Sequence, residues 1–322
     1  MVNITVDYTL PPHLLSALVP DPVTAYPSYH INGPSIVSFL SDKSLSLLAP
    51  LIAYWAYSLF FHALDCSDWA WIDQYRIHES AEVQAKNRAT RAEVVKAVVL
   101  QQIFQTTLGV LTIEPEGPLD HVKEMRSLAP RIAYFVMKAL GQDIGKSLLV
   151  SQGESIVYFV YWWAIPIVQF VLAFAVIDTW QYFFHRLFHI NKFLYKHIHS
   201  VHHRLYVPYA FGALYNHWFE GLLLDSIGAT IAHTVTGMTS RQTFLLFTFA
   251  TLKTVDDHCG YALPFDPFQV LFPNNAKYHD IHHRTWGIKT NFSQPFYIHW
   301  DVLFGTRYDG PSPTRGEKPK KQ

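Results

Sequence analysis

Histidines are the residues whose spacing in this chain most clearly suggests chemistry. Thirteen of the eighteen lie between His185 and His299. Eight of these thirteen form three short clusters, which are HRLFH at His185–His189, HSVHH at His199–His203 and HDIHH at His279–His283. On a helix, residues three or four positions apart share a face. Each cluster is therefore predicted to present two or three imidazoles side by side.

Clustered imidazoles in an apolar chain need partners, because buried polar rings are costly unless something satisfies them. Metal ions are the natural partner. Two single histidines, in DDHCG and YNHWFE, could complete such a site. The predicted metal ligands are His185, His189, His199, His202, His203, His217, His258, His279, His282 and His283. Nine or ten nitrogen ligands suit two metals that each hold four or five imidazoles.

The ligand type narrows the choice of metal. Imidazole suits zinc, copper, iron and nickel, but a single zinc site needs only three or four ligands. Nothing in the sequence matches the Glu-x-x-His pattern of ferritin-like di-iron proteins. A nitrogen-rich binuclear site next to apolar helices indicates iron and O2.

Four polar residues are predicted to support the ligands rather than to bind metal. Asp178 lies seven residues before His185 and so falls on the same helical face, where it could orient a ligand ring. His197 points away from His199 on a helix, which favours a supporting role. His299 and Asp301 belong to the closing HWDVLFGT segment. No catalytic residue is predicted beyond the metal ligands.

The composition indicates a chain partly solvated by lipid. Hydrophobic residues make up 50% of its 322 residues and charged residues 16%. Three uncharged runs, 45–64, 97–113 and 155–177, are predicted to cross a bilayer. Shorter runs at 226–240 and 242–252 are predicted to form a helical hairpin. The expected fold is an all-α integral membrane protein, with transmembrane helices and a helical hairpin that carry a cytosolic histidine-rich di-metal site.

The chain divides by composition into four segments. They are a proline-rich lead-in (1–40), membrane spans and loops (41–154), a catalytic domain (155–308) and a tail (309–322). Residues 131–150 are predicted to lie in the membrane interface as one amphipathic segment. The net charge is zero, so nucleic acid is not an expected partner. Cys66 and Cys259 are expected to be reduced thiols.

Two short terminal signals predict the orientation. Asn3-Ile4-Thr5 is an acceptor sequon, which requires a lumenal N-terminus. The final residues, Lys318–Gln322, carry lysines third and fifth from the end, as in a dilysine retrieval signal of the endoplasmic reticulum. Three spans plus a hairpin put the two ends on opposite faces. We therefore expect a multi-pass endoplasmic reticulum protein whose catalytic site and C-terminus are cytosolic.

The three histidine clusters, in this order after a long apolar run, resemble the fatty acid hydroxylase superfamily of membrane di-iron oxygenases. The HCGY element at His258 and the closing HWDVLFGT segment add to the resemblance, which covers about residues 155–308. The segments 49–65, 87–109 and 178–220 are in addition similar to fungal sphinganine C4-hydroxylases. The resemblance implies O2-dependent C4 hydroxylation of sphinganine or dihydroceramide by two iron ions, which yields phytosphingosine-type lipids.

The resemblance also implies an electron supply. The His-Pro-Gly-Gly element of a fused cytochrome b5 domain does not occur in the sequence. Electrons are therefore expected from NAD(P)H through a separate cytochrome b5 and its reductase.

Three alternatives remain open at the level of sequence. A sterol C5-desaturase or C4-methyl oxidase of the same superfamily would carry the same clusters, and lipid product analysis would separate them. A membrane metal transporter would spread its ligands along a path across several spans. A zinc-dependent membrane hydrolase would differ in its metal content.

Overall fold

The computed structural model describes residues 12–21, 26–67, 69–114, 117 and 119–310. This part of the chain is helical and contains no β-strand, only two isolated bridges, Val37 to Leu40 and Arg76 to Tyr261. The predicted all-α fold is therefore confirmed. The terminal signals at Asn3 and at Lys318–Gln322 lie outside the described residues.

Helices of very different length make up this part of the chain. The α-helices are α1 (Pro12–Leu18), α2 (Asp42–Asp65), α3 (Ala70–Asp73), α4 (Ser80–Lys86), α5 (Arg91–Thr112), α6 (His121–Leu140), α7 (Gln142–Phe159), α8 (Ile165–Ile190), α9 (Lys192–His197), α10 (Trp218–Gly221), α11 (Gly228–Thr236), α12 (Ser240–Asp257), α13 (Pro267–Leu271), α14 (Ala276–His283) and α15 (His299–Leu303). Two π-helices occupy Val160–Ala164 and Leu222–Ile227, and two 3-10 helices occupy His199–Arg204 and Ala210–Leu214.

Three helical segments are long and apolar enough to cross a membrane, namely α2, α5 and the continuous stretch Gln142–Ile190. They coincide with the three apolar runs of the sequence, except that Ile113 follows the end of α5, so the prediction of three helices long enough to cross a bilayer is confirmed. The third segment has 49 residues and is about 73 Å long at 1.5 Å per residue. Since the hydrocarbon layer is about 30 Å thick, part of this segment extends beyond it.

Two helices, α11 and α12, occupy the runs that were predicted to form a hairpin, and a short turn joins them. Helix α11 ends at Gly237, whose φ of 64° is the left-handed conformation common after a helix. The side chain of Thr239 then accepts a hydrogen bond from the backbone N–H of Gln242, and the side chain of Gln242 accepts one from the N–H of Thr239. This reciprocal capping box begins α12, which packs against α2.

The segment predicted to lie in the membrane interface, 131–150, covers the end of α6 and the beginning of α7. Helix α6 ends at Leu140 and α7 begins at Gln142. The break occurs at Gly141, whose φ is 82°, a conformation that other residues rarely adopt. The amphipathic character belongs to α6 alone, because Met125, Ala129 and Ile132 are buried along one of its faces.

The chain divides into two compact units, 1–41 with 116–171 and 42–115 with 172–322. In the first unit, Leu18 and Val19 pack against the buried face of α6 and Val157. In the second unit, buried side chains of α2 and α5 pack against the segment that follows the second histidine cluster. They also pack against the end of α12 and the segment that follows it. Every predicted site residue belongs to the second unit.

Polar contacts hold the segment after the second histidine cluster in place. The Asn87 amide donates to the backbone carbonyl of Val207 and accepts from its N–H, each at 2.9 Å. The Tyr54 hydroxyl donates to the carbonyl of Phe211 at 2.7 Å. Because Tyr54 lies on α2, a candidate membrane span, its contact ties the segment that follows the second histidine cluster to that span.

Candidate metal centre

Four elements bring the histidines together. The first cluster lies in the last two turns of α8, and the second forms most of the 3-10 helix His199–Arg204. The third cluster forms the C-terminal half of α14, which begins where the Asn275 side chain accepts a hydrogen bond from the N–H of Tyr278 at 3.1 Å. His258 immediately follows α12. Helix ends therefore supply all of these rings.

Nine histidines converge in two groups. Within each group, one ring nitrogen from each member lies within 4.8 Å of those of all the others. The five-histidine group consists of His185, His189, His199, His203 and His282, and the four-histidine group of His202, His258, His279 and His283. Nitrogens this close together can surround a single ion, so the arrangement fits two metal sites.

The facing nitrogens fit a cation better than they fit one another. The Nε2 atom of His199 lies 2.7 Å from that of His189, and the Nε2 atoms of His258 and His279 are 3.0 Å apart. The Nε2 of His282 is buried without a hydrogen-bond partner. In each group three rings have Nδ1 facing a carbonyl or carboxylate acceptor. The Nε2 atoms of those rings therefore carry only lone pairs, and a cation between them would satisfy all three.

In most of the nine rings, the second ring nitrogen, Nδ1, faces a hydrogen-bond acceptor outside the group. Because a carbonyl can only accept, the Nδ1 atoms facing carbonyls must be donors, which leaves Nε2 free to bind metal. The carbonyl acceptors are those of Phe292 for His185 (2.8 Å), Tyr215 for His202 (3.1 Å), Thr254 for His258 (2.8 Å), Thr290 for His282 (2.7 Å) and Leu205 for His283 (2.8 Å). His199 instead donates to a carboxylate, Glu220 Oε1, at 2.6 Å.

Burial keeps the rings outside the spans neutral. It lowers the pKa of His202 to about 4 and that of His258 and His282 to about 3. It also lowers the pKa well below the usual value in His199, His203, His279 and His283. A histidine must be neutral to bind a metal, so these rings are ready to bind near neutral pH.

His217 belongs to neither group. Its Nδ1 accepts a hydrogen bond from the N–H of Phe219 at 3.3 Å, which makes it the N-terminal cap of α10. The structure therefore brings together nine of the ten predicted ligands. The cap position could have been inferred from the start of the apolar run at Trp218, but a histidine is not a favoured capping residue.

Two of the predicted supporting residues lie away from the ligands. His197 is exposed and its ring packs against Phe193, with centroids 4.6 Å apart. His299 is also exposed and packs against Trp300 at 5.0 Å. Neither ring contacts a ligand ring in the described structure.

The other two supporting residues, Asp178 and Asp301, act through the loop 290–297. Both carboxylates are buried. Asp178 accepts from the N–H groups of Phe296 (3.0 Å) and Tyr297 (2.7 Å), and Asp301 from those of Phe292 (3.0 Å) and Ser293 (2.7 Å). The carbonyls of this loop hold His185 and His282, so the two carboxylates position ligands from a distance.

Two contacts near the site were not predicted from the sequence. Glu220 lies in the YNHWFE segment, where only the histidine was considered. The Nε2 atom of His78, which was not among the predicted site residues, lies 2.6 Å from Asp280, which stands in the third cluster between His279 and His282. Only the fold brings residue 78 next to residue 280, so the sequence held no signal for this contact.

Comparison with known proteins identifies the relatives of this chain. The fatty acid hydroxylase family model matches residues 170–306, the part that contains all nine converging histidines. The sphingolipid C4-hydroxylase SUR2 of Saccharomyces cerevisiae is 47% identical, over 86% of this chain and 75% of its own. The chain belongs to the fatty acid hydroxylase family. The resemblance inferred from the histidine clusters is thereby confirmed.

Two further relatives show how the family varies. Sphinganine C4-monooxygenase 2 of Arabidopsis thaliana is 43% identical, over 83% of this chain and 88% of its own. A rice protein (Oryza sativa subsp. indica) named very-long-chain aldehyde decarbonylase GL1-9 is 42% identical, over 83% of this chain and 90% of its own. No solved structure is significantly similar to the chain.

Proposed function

We propose that this protein is a di-iron membrane monooxygenase that hydroxylates C4 of sphinganine or dihydroceramide. The observation that carries the proposal is the convergence of nine histidines in two groups, within a chain 43–47% identical to sphingolipid C4-hydroxylases over most of its length. A redox-active metal is required for this reaction. That requirement favours iron over zinc among the metals that imidazole binds.

The five-histidine group would hold one iron and the four-histidine group the other. His217 is left out of the proposed ligand set because it caps α10. When bound, the two irons would supply the oxidising chemistry, in which O2, two electrons and two protons give one hydroxyl group on the substrate and one water.

The residues of the chain prepare the site for this chemistry. The Nδ1 donors keep each Nε2 directed inwards, and the buried rings exclude water from the reacting carbon. Asp178 and Asp301 fix the loop that positions His185 and His282. Precise placement of one carbon next to the metals is the contribution that the protein can make to selectivity.

The proposal extends to the electron supply and the location of the protein. Electrons would pass from NAD(P)H through a separate cytochrome b5 and its reductase. The protein would lie in the endoplasmic reticulum membrane, with the histidine site and the C-terminus in the cytosol. In sealed microsomes, added protease should remove the tail 309–322, and protection of the tail would contradict this orientation.

The proposed reaction is tested by expression in cells that lack their own C4-hydroxylase, followed by mass spectrometry of long-chain bases. The wild-type chain should restore 4-hydroxylated bases and His282→Ala should not. His197→Ala is the matched control, because this exposed histidine contacts no ligand. Unchanged sphingoid bases together with altered sterols would instead indicate a sterol-modifying enzyme of the same family.

The rice relative supports a second candidate, the removal of the carbonyl carbon from very long-chain aldehydes. That relative is named as an aldehyde decarbonylase, and it aligns with 83% of this chain. The same extracts should therefore be analysed for long-chain aldehydes and alkanes. Accumulation of alkanes without 4-hydroxylated bases would favour this second activity.

A further inference from the structure

A narrow cavity of about 30 Å³ lies against the histidine groups. His199 from the five-histidine group and three members of the four-histidine group form part of its wall. Three carboxylates also line it, those of Glu220, Asp225 and Asp257. A cavity of this volume accepts one or two groups the size of a water molecule.

Only some of these carboxylate oxygens have partners. Asp257 is paired with the buried ammonium of Lys253, which also donates to the carbonyl of Asn274. Glu220 uses Oε1 to hold His199. The remaining oxygens, Glu220 Oε2 and Asp225 Oδ2, are shielded from solvent and have no hydrogen-bond partner. Two buried carboxylate oxygens next to this cavity therefore lack a donor, as expected of a site that receives one from a ligand.

Asp225 stands apart from the other two carboxylates. It holds no ligand ring, and it follows three leucines in a chain segment that is otherwise apolar. The backbone there forms the π-helix Leu222–Ile227, a distortion that is frequent at functional sites. The indole of Trp180 donates to the carbonyl of Leu223 at 2.8 Å and so fixes the distorted turn. A lone carboxylate held in this way indicates a specific function.

The chemistry of a long-chain base matches this arrangement. Its C2, which is two bonds away from C4, carries an ammonium group, so the nitrogen is three bonds away from C4. With covalent bonds near 1.5 Å, the nitrogen lies at most about 4 Å from C4, and a charge-assisted hydrogen bond adds about 2.8 Å. Asp225 lines the same cavity as four of the ligand histidines, so an ammonium bound at Asp225 would hold C4 on the side of the metal ligands.

We propose that Asp225 binds the C2 ammonium of an unacylated long-chain base, so that the enzyme acts on the free base in preference to the ceramide. This inference rests on the proposed C4-hydroxylase function. An ammonium group supplies the donors and the positive charge that the two unpaired oxygens lack. An acylated nitrogen is uncharged and bulkier, and it offers a single N–H.

The test compares two substrates, sphinganine and N-acetylsphinganine, with the full-length enzyme in membranes. Wild-type enzyme should prefer sphinganine. Asp225→Asn should lower kcat/KM for sphinganine by about 30-fold or more, mainly through KM, because it removes a charge-assisted contact. The same substitution should change kcat/KM for N-acetylsphinganine by less than about 3-fold. Asp143→Asn, an exposed carboxylate of α7, is the matched control and should change neither.

Several outcomes would overturn the proposal. An equal loss with both substrates would mean that Asp225 supports the structure or moves protons, and no loss with sphinganine would mean that it does not bind the ammonium. A wild-type preference for N-acetylsphinganine would also reject it. If the wild type hydroxylates neither lipid, the proposed function itself has failed, and this is seen before any variant is made.

A measurement on the wild type alone covers the case in which Asp225→Asn does not fold. Hexadecylamine and hexadecanol share one chain length and differ in the charge of the head group. The amine should inhibit sphinganine turnover at a concentration at least about 10-fold lower than the alcohol does. Equal inhibition by the two compounds would reject the ammonium site.

Discussion

The second and third histidine clusters have the same HxxHH spacing but different backbones. The second is a 3-10 helix and the third is the end of an α-helix. In both, the first and last histidines join one group, and the middle one joins the other. The groups are exchanged, however, since the outer pair of the second cluster belongs to the five-histidine group and that of the third to the four-histidine group. Each cluster therefore bridges both candidate metal sites.

The clusters also differ in what holds their rings. In the second cluster, His202 donates to the carbonyl of Tyr215, but His199 donates to the carboxylate of Glu220. In the third, His282 and His283 donate to backbone carbonyls. A side-chain acceptor can be removed by substitution, while a carbonyl can be disturbed only by moving the backbone. The two clusters should therefore respond differently to mutation.

The largest effect is expected from removal of an outer ligand. His203→Ala should empty the five-histidine site and His279→Ala the four-histidine site, and each should reduce turnover by at least about 1000-fold because both metals are needed. Iron per chain, measured on the purified variants, should fall by about half in each case. An unchanged iron content in either variant would contradict the division into two groups.

The next largest effect is expected at the anchor of the second cluster. Glu220→Gln removes the charge that holds His199, and loss of such an anchor typically costs about 10–100-fold in metal affinity or activity. Glu124→Gln replaces an exposed glutamate of α6 and serves as the control. Metal affinity measured by competition with a chelator should fall for the first variant only. Equal affinities in the two variants would mean that Glu220 does not position the ligand.

The third prediction concerns the loop that anchors the third cluster. Asp301→Asn places an amide group opposite backbone N–H donors and should destabilise the protein by about 3 kcal/mol. Since the loop carbonyls hold His185 and His282, metal should leave the five-histidine site first. Thermal unfolding and iron spectra of the two sites would reveal this order. Simultaneous loss from both sites would contradict the proposed role of the loop.

The smallest effect is expected for His217→Ala. The substitution removes a helix cap, which is worth about 1 kcal/mol, but it should leave the iron content and turnover near wild type. A loss of half the iron would instead show that His217 is a metal ligand.

Sequence alone was sufficient for much of the fold and most of the candidate site. The spacing of histidines along a helix is local, so it predicted which rings share a face. Long apolar runs predicted α2, α5 and the third span, because their length must match the bilayer. The hairpin turn followed from Gly237, which tolerates the left-handed conformation that ends α11.

Tertiary structure decided how those local pieces combine. The spacing HxxHH does not say which ring joins which group, because that depends on segments far apart in the chain. Nor could it separate His217 from the ligands, since a cap and a ligand look alike in a sequence. Glu220 and Asp225 were not predicted, because their role also depends on segments that are distant in the sequence. Their importance comes from oxygens that the fold places in a buried cavity with the histidines, where an unpaired carboxylate is costly and a bound partner is needed.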